Sequence, residues 1–568
     1  MSRMNRRPVG RLVVVPLVAL GLVAAACGGD DDDDAAPADT ATEETTGGDA
    51  GPTTTGGAAT TPSDTATDET TAATEETSGD EAPRESTGTI KVGMFLDLIG
   101  GTTFDPALSV TISDEIYLRH IYGTLLKRFP DGSYEPWMAE SYEVVDPQTV
   151  RVTLRDGVEF SDGAPYDADA VRAGMLRTKN EASEEAARGQ QNLFKTNLED
   201  IVVVDPLTVE FKLNAPVAGQ FLAVLSGRES MVPSPTADPA ALATSPVGAG
   251  PFVLDTFVPE QQIFMNKNET YFGDDYTFGR LELYQTPPGT QRTNALLSGT
   301  VDVIEDVDVT SLSAFDDGPY DTRQETSEFG YRVLQPCPTK PPLDNVDVRR
   351  AISMAIDREK IVELTNGGVG EPASDLWPSD HPYYNPDLGD IWGYHPEEAK
   401  ELMDSTGVGN ITVESYVPIN YPWEQMNEVI RTDLAEIGVD YVSVPSQNVL
   451  ADFVEAQKPG FLLVPGSRVG VDKYLRYYAD DAAQNICKGD YNATIVEPAN
   501  AIAGLDPSDP AVAAGFREID QYIADNVLLT PLIFDEDLFA WNTDRLGGEL
   551  QVAGNSYTWD LSGMYVNE

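Results

Sequence analysis

The chain has 568 residues, 41% of them hydrophobic, so it is long enough to bury one large core or several. Its 37 Lys+Arg face 94 Asp+Glu, a formal charge of -57. That excess repels phosphate backbones and anionic headgroups, which argues against a nucleic-acid binder and against membrane attachment through basic patches. Residues 1–88 hold 17 acids and 5 bases, so the remaining 77 acids and 32 bases leave -45 on the rest, an acidity that reads as a solubility device.

The first elements fix a compartment. Arg3, Arg6, Arg7 and Arg11 precede an apolar run from Leu12 to Ala26 that ends in small residues before Cys27. A positive flank, a short apolar segment and a small-residue exit make a signal peptide, residues 1–26, too short for a comfortable permanent span. Ala24-Ala25-Ala26-Cys27 resembles the bacterial lipobox, with Ala24 where that pattern prefers Leu. The resemblance implies that Cys27 is lipidated and becomes the mature N-terminus, anchored on the extracytoplasmic face of the cell membrane by acyl chains. From Gly28 to Ser86 the chain is built almost wholly of Asp, Glu, Thr, Ala, Gly, Ser and Pro, with Arg84 its only base. Such a stretch cannot bury enough surface to fold, and residues 27–88 read as a lipidated cysteine and an acidic Thr-rich tether spanning about 45 Å.

From Thr89 onward strand-like and helix-like stretches alternate. Ser141–Leu154 alternates apolar and polar residues around Asp146-Pro147, and Ile201–Leu213 does the same around Asp205-Pro206, predicting two similar hairpins. Val348, Ile352, Ala355 and Ile356 line one helix face; Asp357 caps the next helix and Gly367-Gly368 stops it. Ile411–Val417 reads as a strand, and Met426, Val429, Ile430, Leu434 and Ile437 mark a helix that Gly438 ends. Val439–Val444 is a strand again, a βαβ unit that implies parallel pairing. Two cysteines remain, Cys337 and Cys487. In an exported chain they are expected to pair, the alternative being two buried thiols.

Six segments in order resemble the family 5 extracellular solute-binding proteins that serve oligopeptide, dipeptide and nickel ABC importers. They are Ile121–Leu126, Tyr134–Tyr142, Leu154–Val171, Pro246–Phe252, Arg292–Asp302 and Pro341–Arg358. The resemblance covers Thr89 to the C-terminus. It implies an α/β fold, a two-lobed periplasmic-binding-protein-like clamp with an extra subdomain, bending at a hinge. Lobe I would hold 89–335 plus 535–568, with the extra subdomain at about 131–245, and lobe II 336–534. The implied role is capture of a peptide-like or other small solute in the interlobe cleft and delivery to an ABC permease with its ATPase subunits, by a monomer. The alternative is a surface receptor not coupled to import.

By analogy the cleft would be met by Asn420, Tyr421 and Trp423 after the strand at 411–417, by Ser467, Arg468 and Asp472, by Glu305 and Asp306, and by Trp377. Peptide-binding members place an aromatic residue and an acid near 466–472, the acid pairing with the peptide's amino group. Ser467 or Arg468 stands where the aromatic would be, so a solute other than a simple free-N-terminal peptide is expected, and Arg468 would favour a carboxylate. No cofactor or metal is expected. The three histidines, His120, His381 and His395, lack metal spacing, and no nucleophile elbow or phosphate loop occurs, so an enzyme is not expected.

Overall fold

A computed structural model describes residues 88–96, 103–109, 112–181, 190–419, 423–466, 469–480, 482, 484–553 and 558–567. Asn420, Tyr421, Ser467 and Arg468, and everything before residue 88, including Cys27, lie outside the described residues.

An 11-stranded mixed sheet organises the molecule. From one edge its order is Val439–Ser446, Ile411–Pro418, Phe461–Pro465, Tyr320–Pro336, Thr530–Asn542, Val303–Ile304, Thr89–Met94, Arg280–Gln285, Gln262–Lys267 and Phe252–Val258. The short strand Glu371–Pro372 pairs on the side with Thr530–Asn542. Two long strands at the centre, Tyr320–Pro336 and Thr530–Asn542, run antiparallel and join the two halves. Thr530–Asn542 is buried nearly throughout, as a strand covered on both faces must be, with apolar runs on either side of Asp535-Glu536-Asp537.

The hydrophobic periodicity located these elements well. Ile411–Pro418 pairs in parallel with Val439–Ser446, and the helix between them, Glu424–Glu436, buries Met426, Val429, Ile430 and Leu434. It ends at Gly438, whose φ of 80° suits a residue without a Cβ. Asp357 caps the helix Arg358–Asn366, its Oδ1 accepting the Lys360 amide at 2.9 Å, and Gly367 closes that helix in the left-handed region. The two hairpins lie in one four-stranded antiparallel sheet in which Thr149–Leu154 pairs with Thr208–Leu213. Val150, Val152 and Leu154, with Val209, Phe211 and Leu213, point to its buried face. Both turns use the same device: the Gln148 amide donates to Asp146 Oδ1 at 2.8 Å and the Leu207 amide to Asp205 Oδ1 at 2.9 Å.

Three large apolar cores result. One lies around Ile90, Tyr117, Phe252 and Leu281, and a second around Ile352, Met426 and Leu463. The largest runs from the four-stranded sheet through Trp377 and Tyr474 to Phe516. The segment Pro246–Phe252 shows why two of its glycines are needed. A Cβ on Gly248 would stand 2.1 Å from the Ile121 carbonyl oxygen, and one on Gly250 would stand 2.7 Å from the Ile121 carbonyl carbon, so the loop lies directly on the helix Ile112–Tyr122. Among the described residues no helix is long and apolar enough to cross a membrane.

Candidate functional site

The site is built from a hairpin, a bulge and two helices distant in sequence. In the hairpin, Leu126–Arg128 pairs with Tyr134–Pro136, bringing Arg128 opposite Tyr134. The Arg128 guanidinium carbon lies 5.8 Å from the centre of the Tyr134 ring, and its Nε donates to the Tyr134 hydroxyl at 3.2 Å. The bulge lies in the long central strand. Its register on Thr530–Asn542 moves from Thr326↔Glu536 to Tyr331↔Phe534, so residues 327–330 oppose one partner residue. That excess re-aims a side chain. Glu328, 1% exposed, is ion-paired with Arg128.

Between these groups and the helices Glu497–Ala503 and Pro510–Asn526 lies a narrow cavity of about 50 Å³. Arg128, Glu328, Tyr134, Tyr383, Leu505 and Phe516 border it, together with the turn Val469-Gly470-Val471. Its wall follows the pattern of small-molecule sites, aromatic and aliphatic groups with a few polar ones. Beside it the chain segments approach very closely. A Cβ on Gly219 would stand 1.6 Å from the Leu505 carbonyl oxygen, so the helix Ala218–Leu225 tolerates no side chain there.

A buried aromatic and ionic cluster supports this wall. The Tyr383 hydroxyl donates to the Pro507 carbonyl at 3.1 Å, and its ring packs 4.7 Å from Phe516 and 5.0 Å from Trp377. His381 stacks on Trp377 at 4.6 Å, and burial holds its pKa well below the ordinary histidine value. Lys473 is 1% exposed, with its Nζ 3.8 Å from the centre of the Trp377 ring and donating to the Leu376 carbonyl at 2.6 Å. Burial pushes its amine down to about 7 and, in the opposite sense, pushes the neighbouring Asp375 and Asp520 carboxyls up. Asp520 accepts the Tyr474 hydroxyl at 2.8 Å, and Tyr474 accepts the Trp377 indole N–H at 3.0 Å.

The described residues nominated from the sequence lie elsewhere. Trp377 is fully buried, holding the cluster behind the cavity wall. Trp423 is 3% exposed and packs in the second core under the Arg332 guanidinium at 5.5 Å, where it borders a separate hollow with Arg431 and Tyr441. Asp472 starts the helix Asp472–Tyr478, next to the Val471 that borders the cavity. Glu305 is 7% exposed, its Oε2 accepting the Trp559 indole N–H at 2.7 Å and its Oε1 the Phe95 amide at 3.3 Å. Asp306 pairs with Arg292 at 3.3 Å. The sequence reading missed Arg128, Tyr134, Tyr383, Glu328 and Phe516. For Glu328 one signal was present: Gly330, a lone glycine within a strand pattern, marks a bulge or a close backbone approach.

Glu305 carries a pH prediction. Burial raises its carboxyl from 4.5 to about 7, so the folded state holds this proton more tightly than the unfolded chain. Its stabilising contribution is complete below about pH 4.5 and lost as pH rises through 7. Glu305→Gln is expected to flatten the fall in unfolding free energy between pH 4.5 and 7 in urea titrations. An unchanged slope would contradict the assignment.

Comparison with known proteins places these features. The family described as bacterial extracellular solute-binding proteins, family 5 middle, matches residues 133–458. Heme-binding protein A of Haemophilus influenzae is 28% identical over 427 residues, covering 70% of this chain and 77% of that protein. The glutathione-binding protein GsiB of Salmonella paratyphi A is 28% identical over 316 residues, covering 54% of this chain and 59% of its own length, so the match spans little more than half of it. Among solved structures, HbpA2 from Haemophilus parasuis superposes with a TM-score of 0.74 at 21% identity, covering 85% of this chain and all of that one. The fold is the mixed α/β, two-lobed clamp of periplasmic binding proteins.

Proposed function

The chain belongs to family 5 of the bacterial extracellular solute-binding proteins, and from that premise we propose that it is the substrate-binding lipoprotein of an ABC importer. In this reading Cys27 carries the lipid, residues 28–88 form the tether, and the folded part stands outside the membrane. Lobe I (89–335 with 535–568, including a subdomain at about 131–245) and lobe II (336–534) close on a peptide-like or other small solute and present it to the permease and its ATPase. Cys337 and Cys487, with Cα atoms 5.6 Å apart, carry a disulfide in the exported protein.

The observation that supports the binding role is the cavity walled by residues as distant as Arg128 and Phe516, on a fold shared with periplasmic binding proteins. The relatives bear names with different ligands, heme and glutathione, so the family alone does not choose a solute. Two arms test the proposal. Host cells fed labelled palmitate should label the wild type and leave Cys27→Ala unlabelled and released to the medium; labelling of both would contradict the anchor. Deletion of the gene should abolish uptake of the bound solute, whereas unchanged uptake would favour a receptor.

A further inference from the structure

Resting on the reading of the chain as a two-lobed clamp, we propose that Gly219 and Gly504 form its closing contact, a joint where the main chains of the two lobes meet only when the clamp is shut on solute. In the lobe division above, Gly219 belongs to lobe I and Gly504 to lobe II. Each stands against the main chain of the opposite lobe. A Cβ on Gly219 would run into the Leu505 carbonyl, and one on Gly504 would stand 2.6 Å from Pro147 Cβ and 2.9 Å from the Pro216 carbonyl oxygen. The Ala218 amide donates to the Pro147 carbonyl at 3.0 Å, so the turn at Asp146-Pro147 and the start of the helix Ala218–Leu225 present one surface. Pro206, the counterpart of Pro147 in the second hairpin, serves lobe I instead, its carbonyl accepting the Ala168 amide at 2.9 Å.

Neither glycine is required by its own backbone. Gly504, at the end of the helix Glu497–Ala503, has φ -89° and ψ -6°, a turn conformation compatible with most residues. Gly219 stands inside a helix, where glycine is disfavoured relative to alanine. What excludes a side chain at both positions is the opposite lobe. Two further observations make the joint separable. Among the described residues no hydrogen bond or ion pair links 146–148 or 215–226 to 497–516, so parting the lobes there strands no donor that the seam had satisfied. The side chains along it are apolar: Val217, Phe221 and Leu222 of lobe I share one core with Ile502, Ala503 and Phe516 of lobe II. Apolar contact is non-directional, and it is remade whenever the surfaces return.

The test uses the full-length protein purified without denaturant from its native host, one sample keeping the molecule it carries and one freed of it by exhaustive dialysis. In the wild type the carried molecule should slow hydrogen exchange at 217–221 and 503–506. Gly504→Val should keep the wild-type urea midpoint when solute-free, because the open clamp has room for the new side chain. By native mass spectrometry it should retain about tenfold less of the co-purified molecule, since the closed state is the one that holds it. A lower urea midpoint for solute-free Gly504→Val would show a permanent packing contact and overturn the inference. Retention equal to wild type overturns it too, as does a wild type in which the carried molecule slows exchange elsewhere but not at these segments; both leave the binding function standing. A wild type that carries no molecule, and whose exchange no small-molecule extract of its host slows, contradicts the binding function itself and this inference with it.

Discussion

Serine at both Cys337 and Cys487 is expected to lower the unfolding free energy by about 5 kcal/mol. The two residues are 150 apart in sequence, and a bridge between them removes the closure entropy of that long loop from the unfolded chain. Cys337 follows the long central strand and Cys487 lies beyond the helix Asp472–Tyr478, so a bridge between them would tie the sheet to the segment behind the cavity wall. Nearby bonds lie along the same seam: Gln335 Nε2 donates to the Gln484 carbonyl at 2.9 Å and the Thr339 hydroxyl to the Cys487 carbonyl at 3.0 Å. These survive the double substitution, so the loss should appear mainly as a lower urea midpoint. Thiol labelling of the exported wild type without reductant should find neither residue reactive. Two free thiols, or a double variant as stable as wild type, would contradict the bridge.

Arg358→Met is expected to cost about 3–5 kcal/mol, more than most single substitutions. Arg358 is 5% exposed and donates to main-chain carbonyls across a long sequence gap: Nε to Pro531 at 2.7 Å, and Nη1 to Ser353 and Ile356, each at 3.2 Å. Nη2 adds the Ser353 hydroxyl at 3.2 Å. Methionine fills similar space but leaves these buried acceptors without a donor, each worth about 1–3 kcal/mol when stranded. Burial pulls the guanidinium down to about 10, so it stays charged at neutral pH. Arg358→Lys, with one nitrogen in place of three, should fall between the two in urea denaturation. A methionine variant within about 1 kcal/mol of wild type would show that water reaches these carbonyls.

The segment Pro341–Arg358 shows where sequence reading succeeds and stops. The cap at Asp357 is local, a short side chain meeting an amide three residues on, and composition and periodicity reveal it. The bond from Arg358 to Pro531 spans 173 residues and has no local signature. The same division explains the site. The hairpins, the βαβ unit and the helix stops follow from alternation and turn chemistry, whereas the cavity wall draws Arg128, Glu328 and Phe516 from three separate stretches. Trp377 was nominated as a large aromatic near an expected cleft, and its hydrogen bond to Tyr474 and stacking on His381 place it in the interior behind that wall. An indole satisfied by a buried hydroxyl looks the same in sequence as one awaiting a ligand.

Hydrogen exchange of the solute-free and solute-loaded protein, using the molecule released from native material, tests the central claim most directly. Loading should slow exchange at 126–136, 218–225, 469–471 and 502–516, the segments that enclose the cavity, and leave the distant strands at 252–267 unchanged. Protection confined to the hollow around Trp423, or none at the cavity segments, would contradict the assignment of the solute site.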